Sequence, residues 1–203
     1  AGGHLGFNYE DLDQTGQSTL EDLLVETVEQ ANTYDPPIPV IAAGGVYDGA
    51  DIVRMLELGA SGVQMATRFV CTEECDVDDR FKAAYVNASA EDVTIIHSPV
   101  GMPARVIRNA FVDRISRGET MPFRCEYRCL KTCDPSTAPY CIAKVLANAS
   151  KGNMEESFAF AGSNAPMCTE IVTVKELIKQ LVDGAEAVLS EARGELTVGQ
   201  PTG

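Results

Sequence analysis

Apolar positions alternate between short unbroken runs and helical spacing. Pro39-Val40-Ile41-Ala42-Ala43 is an unbroken apolar run that stops at Gly44-Gly45. Such a run reads as a buried strand of a parallel sheet, here over Ile38 to Ala43. Asp48 then stands as an N-cap, with Asp51 in the first turn. Ile52, Val53 and Leu56 follow on one side of a helix, and Gly59 closes it as a C-cap. Gly62 to Phe69 reads as a second strand that ends in a small, hydroxyl-bearing turn. Upstream, Ser18-Thr19-Leu20-Glu21 has the capping-box pattern, with Ser18 as the cap. Leu20, Leu23, Leu24, Val28 and Ala31 continue at helical spacing. This helix should end near Asn32, where Tyr34-Asp35-Pro36-Pro37 breaks it.

Beyond the second strand the pattern predicts mostly helix. Glu73 to Asn87 offers an apolar face of Phe81, Ala84 and Tyr85. Val93 to His97 is a short β-like run, and Ser98 to Pro103 is a loop. Ala104 to Ile115 shows helical spacing through Val106, Ile107, Ala110 and Phe111. Its Arg105, Arg108 and Arg114 form the densest basic patch, read either as a solvated helix face or as a place where Arg105 or Arg108 meets an anionic ligand or subunit edge. Another helix begins at Pro139, runs through Ile142, Val145 and Leu146, and stops at Gly152. Gly162 to Pro166 is a loop. Thr173 to Glu176 is a second capping box, followed by a stripe of Leu177, Ile178, Leu181, Val182, Ala185, Val188 and Leu189. A mobile tail is expected from Gly194.

The order strand, glycine turn, helix N-terminus builds an anion site from backbone N–H groups and the helix dipole. A Gly-Gly pair alone is more often only a tight turn. Phosphate held between the ends of two successive strands is, however, the arrangement of many (β/α)₈ barrels. A second feature is the glycine-rich loop Ala1-Gly2-Gly3-His4-Leu5-Gly6-Phe7, whose flexible flanks could let the imidazole of His4 face a ligand, although a histidine so placed is more often incidental.

Charge and cysteine content narrow the classes. The 203 residues carry a net charge of −14, which argues against nucleic acid or an anionic membrane as partner. No apolar run reaches the roughly 20 residues that span a bilayer. The seven cysteines are odd in number and crowded, which suggests a reducing, cytoplasmic setting rather than a disulfide framework. Cys125, Cys129, Cys133 and Cys141 have the spacing C-x₃-C-x₃-C-x₇-C. If Phe123 to Cys133 is helical, the first three share one face. The four are candidate ligands for zinc or an iron–sulfur cluster. The spacing matches none of the commoner patterns, and a cluster of packed structural thiols is the competing reading.

Gly2-Gly3-His4-Leu5-Gly6, Pro39 to Val46 and Val63-Gln64-Met65-Ala66-Thr67-Arg68-Phe69, in that order, closely resemble the nitronate monooxygenase family. That family also contains flavin-dependent enoyl-acyl-carrier-protein reductases. Val100-Gly101-Met102-Pro103-Ala104-Arg105 to Asn109 looks like a further family segment. The resemblance implies an α/β fold: the last two strands of an FMN-binding (β/α)₈ TIM barrel, within residues 1–90, and a mostly helical C-terminal extension with the cysteine-rich segment, residues 91–203. It implies that His4 follows strand six, faces the flavin and acts as the base. It also implies that Gly3, Ala43, Gly44, Gly45, Gln64, Met65, Ala66 and Thr67 bind FMN. Ala66 stands where the family commonly has glycine. The first six strands are then expected from a longer chain or from a second chain, since two strands cannot close a barrel. Homodimer formation is a further expectation.

The function implied is oxidation of alkyl nitronates by dioxygen. The alternative within the family is NAD(P)H-dependent reduction of an enoyl thioester. The alternative from another class is a flavin-free structural or metal-binding subunit.

Overall fold

The computed structural model describes residues 3–6, 8–14, 19–126, 128–131 and 133–198. Its helices and strands are α1 (Leu20–Ala31), β1 (Ile41–Ala43), α2 (Gly49–Glu57), β2 (Gly62–Gln64), α3 (Thr67–Val70), α4 (Asp79–Val86), β3 (Val93–His97), β4 (Pro103–Ile107), α5 (Ala110–Ser116), α6 (Ile142–Ser150) and α7 (Val174–Val198). The chain forms two compact units, each assembled from two stretches: Ala1–Thr15 with Ala66–Ile171, and Gly16–Met65 with Val172–Gly203.

The second of these units is built on a β1–α2–β2 motif. β1 and β2 are parallel, with Ile41 opposite Gly62 and Ala43 opposite Gln64. Asp48 caps α2: its Oδ1 accepts from the Asp51 N–H at 3.0 Å, and Asp51 Oδ2 accepts from the Tyr47 N–H at 2.8 Å. Gly59 follows α2 at φ 97°, a left-handed value that favours glycine. Leu24, Ala42, Val46, Met55 and Ala60 form the core. α1 begins one residue later than the sequence pattern suggests. Thr19 is its cap and Asp22 completes the capping box, while Ser18 lies outside the described residues. β1 is shorter than the expected run from Ile38. The expected strand from Gly62 to Phe69 ends at Gln64, and α3 takes up Thr67 to Val70. In α7, Thr173 and Glu176 form the second capping box. The helix passes Gly194 and reaches Val198. The rest of the expected tail lies outside the described residues.

The first unit centres on an antiparallel hairpin of β3 and β4. The free edge of β4 is covered by two short segments. The Arg105 N–H donates to Gly3 C=O at 2.8 Å, and the Ala161 N–H donates to Arg105 C=O at 3.1 Å. His4 and Phe160 each bridge to β4 in this way, at Ala104 and Val106. Ile96, Ala104, Val106, Phe111, Val112, Tyr140 and Phe158 are the centre of its core. The β-like run at Val93 to His97 is β3, as the pattern suggests. One expectation is corrected: Ala104 to Ile107 is strand rather than the first turn of a helix. Every β4 residue except Arg105 is buried, so its pattern carries no strand alternation. The helical part begins only at Ala110, capped by Asn109.

The cysteine-rich segment is a second correction. No helix or strand occurs between Ser116 and Ile142 among the described residues. Cys125, Cys129 and Cys133 therefore do not share a helix face.

Candidate functional site

His4 is held by backbone on both sides. Leu5 N–H donates to Pro103 C=O at 2.9 Å, and Gly3 C=O accepts from Arg105. The side chain is half-buried, with Nε2 2.8 Å from Ser98 Oγ. The direction of that hydrogen bond follows the ring tautomer. Phe160 packs against the imidazole with ring centroids 4.8 Å apart. Partial burial disfavours the imidazolium and holds the His4 pKa below the ordinary value. The ring is thus kept neutral and oriented, the state needed to accept a proton.

Ser98 is buried in the hairpin turn. Its N–H donates to Met102 C=O at 3.2 Å, and its C=O accepts from the Gly101 N–H at 3.0 Å. Gly101 at φ 85° makes that reversal. Sequence reasoning read this stretch as a loop and passed over Ser98. Its signal was the Ser-Pro-Val-Gly turn chemistry next to a β-like run.

A second residue set was also missed. A Cβ on Gly3 would lie 3.6 Å from Phe160. Two residues further along, a Cβ on Gly162 would lie only 2.8 Å from Thr67 Oγ1. The segment Phe158 to Gly162 therefore touches both the His4 loop and Thr67. Tyr85 Oη donates to Phe160 C=O and helps fix that segment. The Phe-Ala-Phe-Ala-Gly alternation was the available signal for a short strand ending at a glycine. Below Thr67, the Cys168 thiol approaches Thr67 C=O at 4.0 Å. Its hydrogen bond with Cys168, then burial, pushes the Cys71 thiol far up, so Cys71 stays protonated.

Of the other site candidates, Ala66 is exposed in the same unit as His4 and Thr67. Ala43, Gly44, Gly45, Gln64 and Met65 belong to the second unit. There β1 and β2 end in register at Ala43 and Gln64, both exposed, and Met65 packs on the core. Gly44 at φ 93° and Gly45 at φ 73° turn the chain away. A Cβ at Gly45 would meet nothing within 4 Å. An open, left-handed backbone turn beyond two parallel strand ends fits a phosphate group.

The basic patch is not a helix face. Arg105 lies half-buried in β4, Arg108 Nε is 2.6 Å from Asp113, and Arg114 Nε is 2.9 Å from Glu119. All seven cysteines are free thiols. Cys125, Cys129, Cys133 and Cys141 line one cavity of about 400 Å³. Among the described residues, no group of three or more His, Cys, Asp or Glu side chains is placed to hold a metal ion. No helix among them is long and apolar enough to cross a membrane.

The family model for nitronate monooxygenase matches residues 1–184. A probable nitronate monooxygenase of Staphylococcus saprophyticus is 30% identical over 197 residues, covering 94% of this chain and 50% of that protein. Among solved structures, FabK from Thermotoga maritima superposes with a TM-score of 0.72 at 31% identity, over 96% of this chain and 54% of that one. The nitroalkane oxidase of Streptomyces ansochromogenes gives 0.68 at 26% identity, over 97% and 51%. The chain thus spans about half the length of these relatives. Over that span it belongs to the nitronate monooxygenase family.

Proposed function

We propose that this chain is the C-terminal part of an FMN-dependent oxidoreductase that oxidises alkyl nitronates with dioxygen, with His4 as its base. The observation that carries the reading is His4 itself: a neutral, half-buried imidazole oriented by Ser98 Oγ at 2.8 Å. A base of this kind takes the proton from the carbon next to a nitro group, leaving the nitronate. Ser98 and Phe160 hold the ring so that the same face meets each substrate. Gly3, Ala43, Gly44, Gly45, Gln64, Met65, Ala66 and Thr67 would hold FMN. The open glycine turn after β1 supports the phosphate part of that assignment. FMN, when bound, supplies the redox chemistry that takes electrons from the nitronate and delivers them to dioxygen. The remaining barrel strands come from the rest of a longer chain or from a second chain.

The test uses the complete protein. Its absorbance spectrum and intact mass should show FMN and the additional polypeptide. Oxygen consumption should depend on a nitroalkane. His4→Asn should lower turnover of a neutral nitroalkane by about 10²–10⁴-fold. A preformed nitronate needs no proton abstraction, so its turnover should fall far less. Oxidation of NAD(P)H that depends on a crotonyl-type thioester, without nitronate turnover, would assign the enoyl-reductase activity instead. A colourless protein with neither activity would leave the structural-subunit reading.

A further inference from the structure

We propose that Cys125, Cys129, Cys133 and Cys141 ligate a [4Fe–4S] cluster. The site is independent of the nitronate-oxidising reading, which gives these residues no part. All four thiols line a single cavity of about 400 Å³, walled on its apolar side by Phe123 and Ile142, with Arg128 at its edge. That volume is many times the roughly 30 Å³ share of one water molecule. The cavity is open rather than an interior void: Arg128, Cys129 and Pro135 on its wall are exposed, so the four thiols do not fill a packed core.

The backbone around the cavity supplies a second observation. From Arg117 to Cys141 the chain forms no helix or strand among the described residues. Loops longer than about 12–15 residues without structure of their own are uncommon in compact domains, and usually serve a function. This one is drawn in at its neck, where Met121 N–H donates to Pro139 C=O at 2.6 Å. Arg128, immediately before Cys129, adopts φ 44°. A residue with a side chain is strained in that region. Ligation offsets such a cost, because metal-site binding energy becomes folding energy.

A cluster and a single ion ask for different arrangements of the four thiols. One zinc draws four sulfurs to about 2.3 Å from one point. No group of three or more candidate ligands among the described residues is so placed. A cubane instead takes each thiolate at a different iron, so its ligands surround a space rather than converge. Each cysteine gives up its proton to form one iron–thiolate bond. Iron and sulfide arrive as a preformed [4Fe–4S]²⁺ core held by the thiolates of a cluster donor. Each iron–thiolate bond to the donor breaks as one to a cysteine forms, the cysteine proton passes to the departing thiolate, and no electrons are transferred. Four thiolates on that core leave a net charge of −2, and Arg128 stands beside it.

The experiment is iron and acid-labile sulfide analysis of the complete protein, purified without oxygen. FMN released on denaturation is measured in the same sample. About four irons and four sulfides per chain are expected, with a paramagnetic signal after dithionite reduction. Cys133→Ser and Cys141→Ser should each lower both contents at least several-fold, and Cys75→Ser should leave them unchanged. Stoichiometric zinc without sulfide would overturn the cluster. So would the absence of iron and sulfide with all seven thiols titratable after unfolding. The unsubstituted protein decides this even if the variants fail to fold. FMN without iron would sink the cluster alone, and iron without FMN would sink the flavin reading alone.

Discussion

At the scale of single residues, the environment of His4 sets a pH dependence. Burial lowers its pKa, so the neutral form persists to lower pH than for an exposed histidine. Protonation removes the base. For a neutral nitroalkane, kcat/KM should therefore be level at neutral pH and fall on the acid side, with a midpoint below about 6.5. A midpoint above that value would mean the ring is stabilised as imidazolium. Ser98→Ala removes the hydrogen bond at 2.8 Å and should cost roughly tenfold in kcat/KM. Cys71 makes a separate prediction. Its neighbour Cys168 and its burial raise its pKa, so almost no thiolate is present at neutral pH. Iodoacetamide followed by peptide mapping should leave Cys71 unmodified in the folded protein. His4 stood out only through the three motifs whose order resembles the family, because a histidine in a glycine-rich loop is by itself more often incidental. Ser98 did not, because its role depends on a contact 94 positions away.

Among the elements, those with caps were legible and those defined by tertiary burial were not. Asp48 and Asp51, Gly59, and Thr173 with Glu176 all stand where their spacing placed them. β4 was misread because a fully buried strand shows neither period, and α5 directly after it completed a false helical rhythm. The cysteine segment misled in the same way: spacing of four imitates a helix face, whatever the backbone does. Asn109 shows what the misreading concealed. Its Oδ1 accepts from the Val112 N–H at 2.9 Å, and its Nδ2 donates to Ser157 C=O at 2.8 Å and Met154 C=O at 3.1 Å. Asn109→Ala should lower stability by about 1–3 kcal/mol, the loss of a cap plus stranded carbonyls. Asn109→Asp keeps the cap but not the donors, and should fall between. Gly49 is equally strict. A Cβ there would meet Ala185 N at 2.2 Å and Gly184 C at 2.4 Å, where α2 crosses α7. Gly49→Ala must push the helices apart, at roughly 1–3 kcal/mol. Thermal unfolding of each variant checks both, at about 2–4 °C per kcal/mol for a chain of this size.

For the molecule as a whole, the parallel pair β1–β2 raises the question of its second face. Ala42 is buried among Leu24, Met55 and Ala60, whereas Ile41 is 53% exposed and Ala43 is exposed too. Parallel strands ordinarily lie covered on both faces, because their crossover helices and sheet neighbours enclose them. The relatives are about twice the length of this span. On the proposed reading, the remaining half of the protein would cover Ile41. Ile41→Lys discriminates cleanly. In the chain expressed alone the lysine would stay in water, and stability should change by no more than about 0.5 kcal/mol. In the complete protein the same ammonium would be enclosed without a partner, which should cost several kcal/mol and release FMN. Denaturant unfolding of both forms, with flavin fluorescence as a second readout, measures the difference. Equal, small effects in both would mean that this face of the sheet is bare in the complete protein, and that the strands before it close elsewhere.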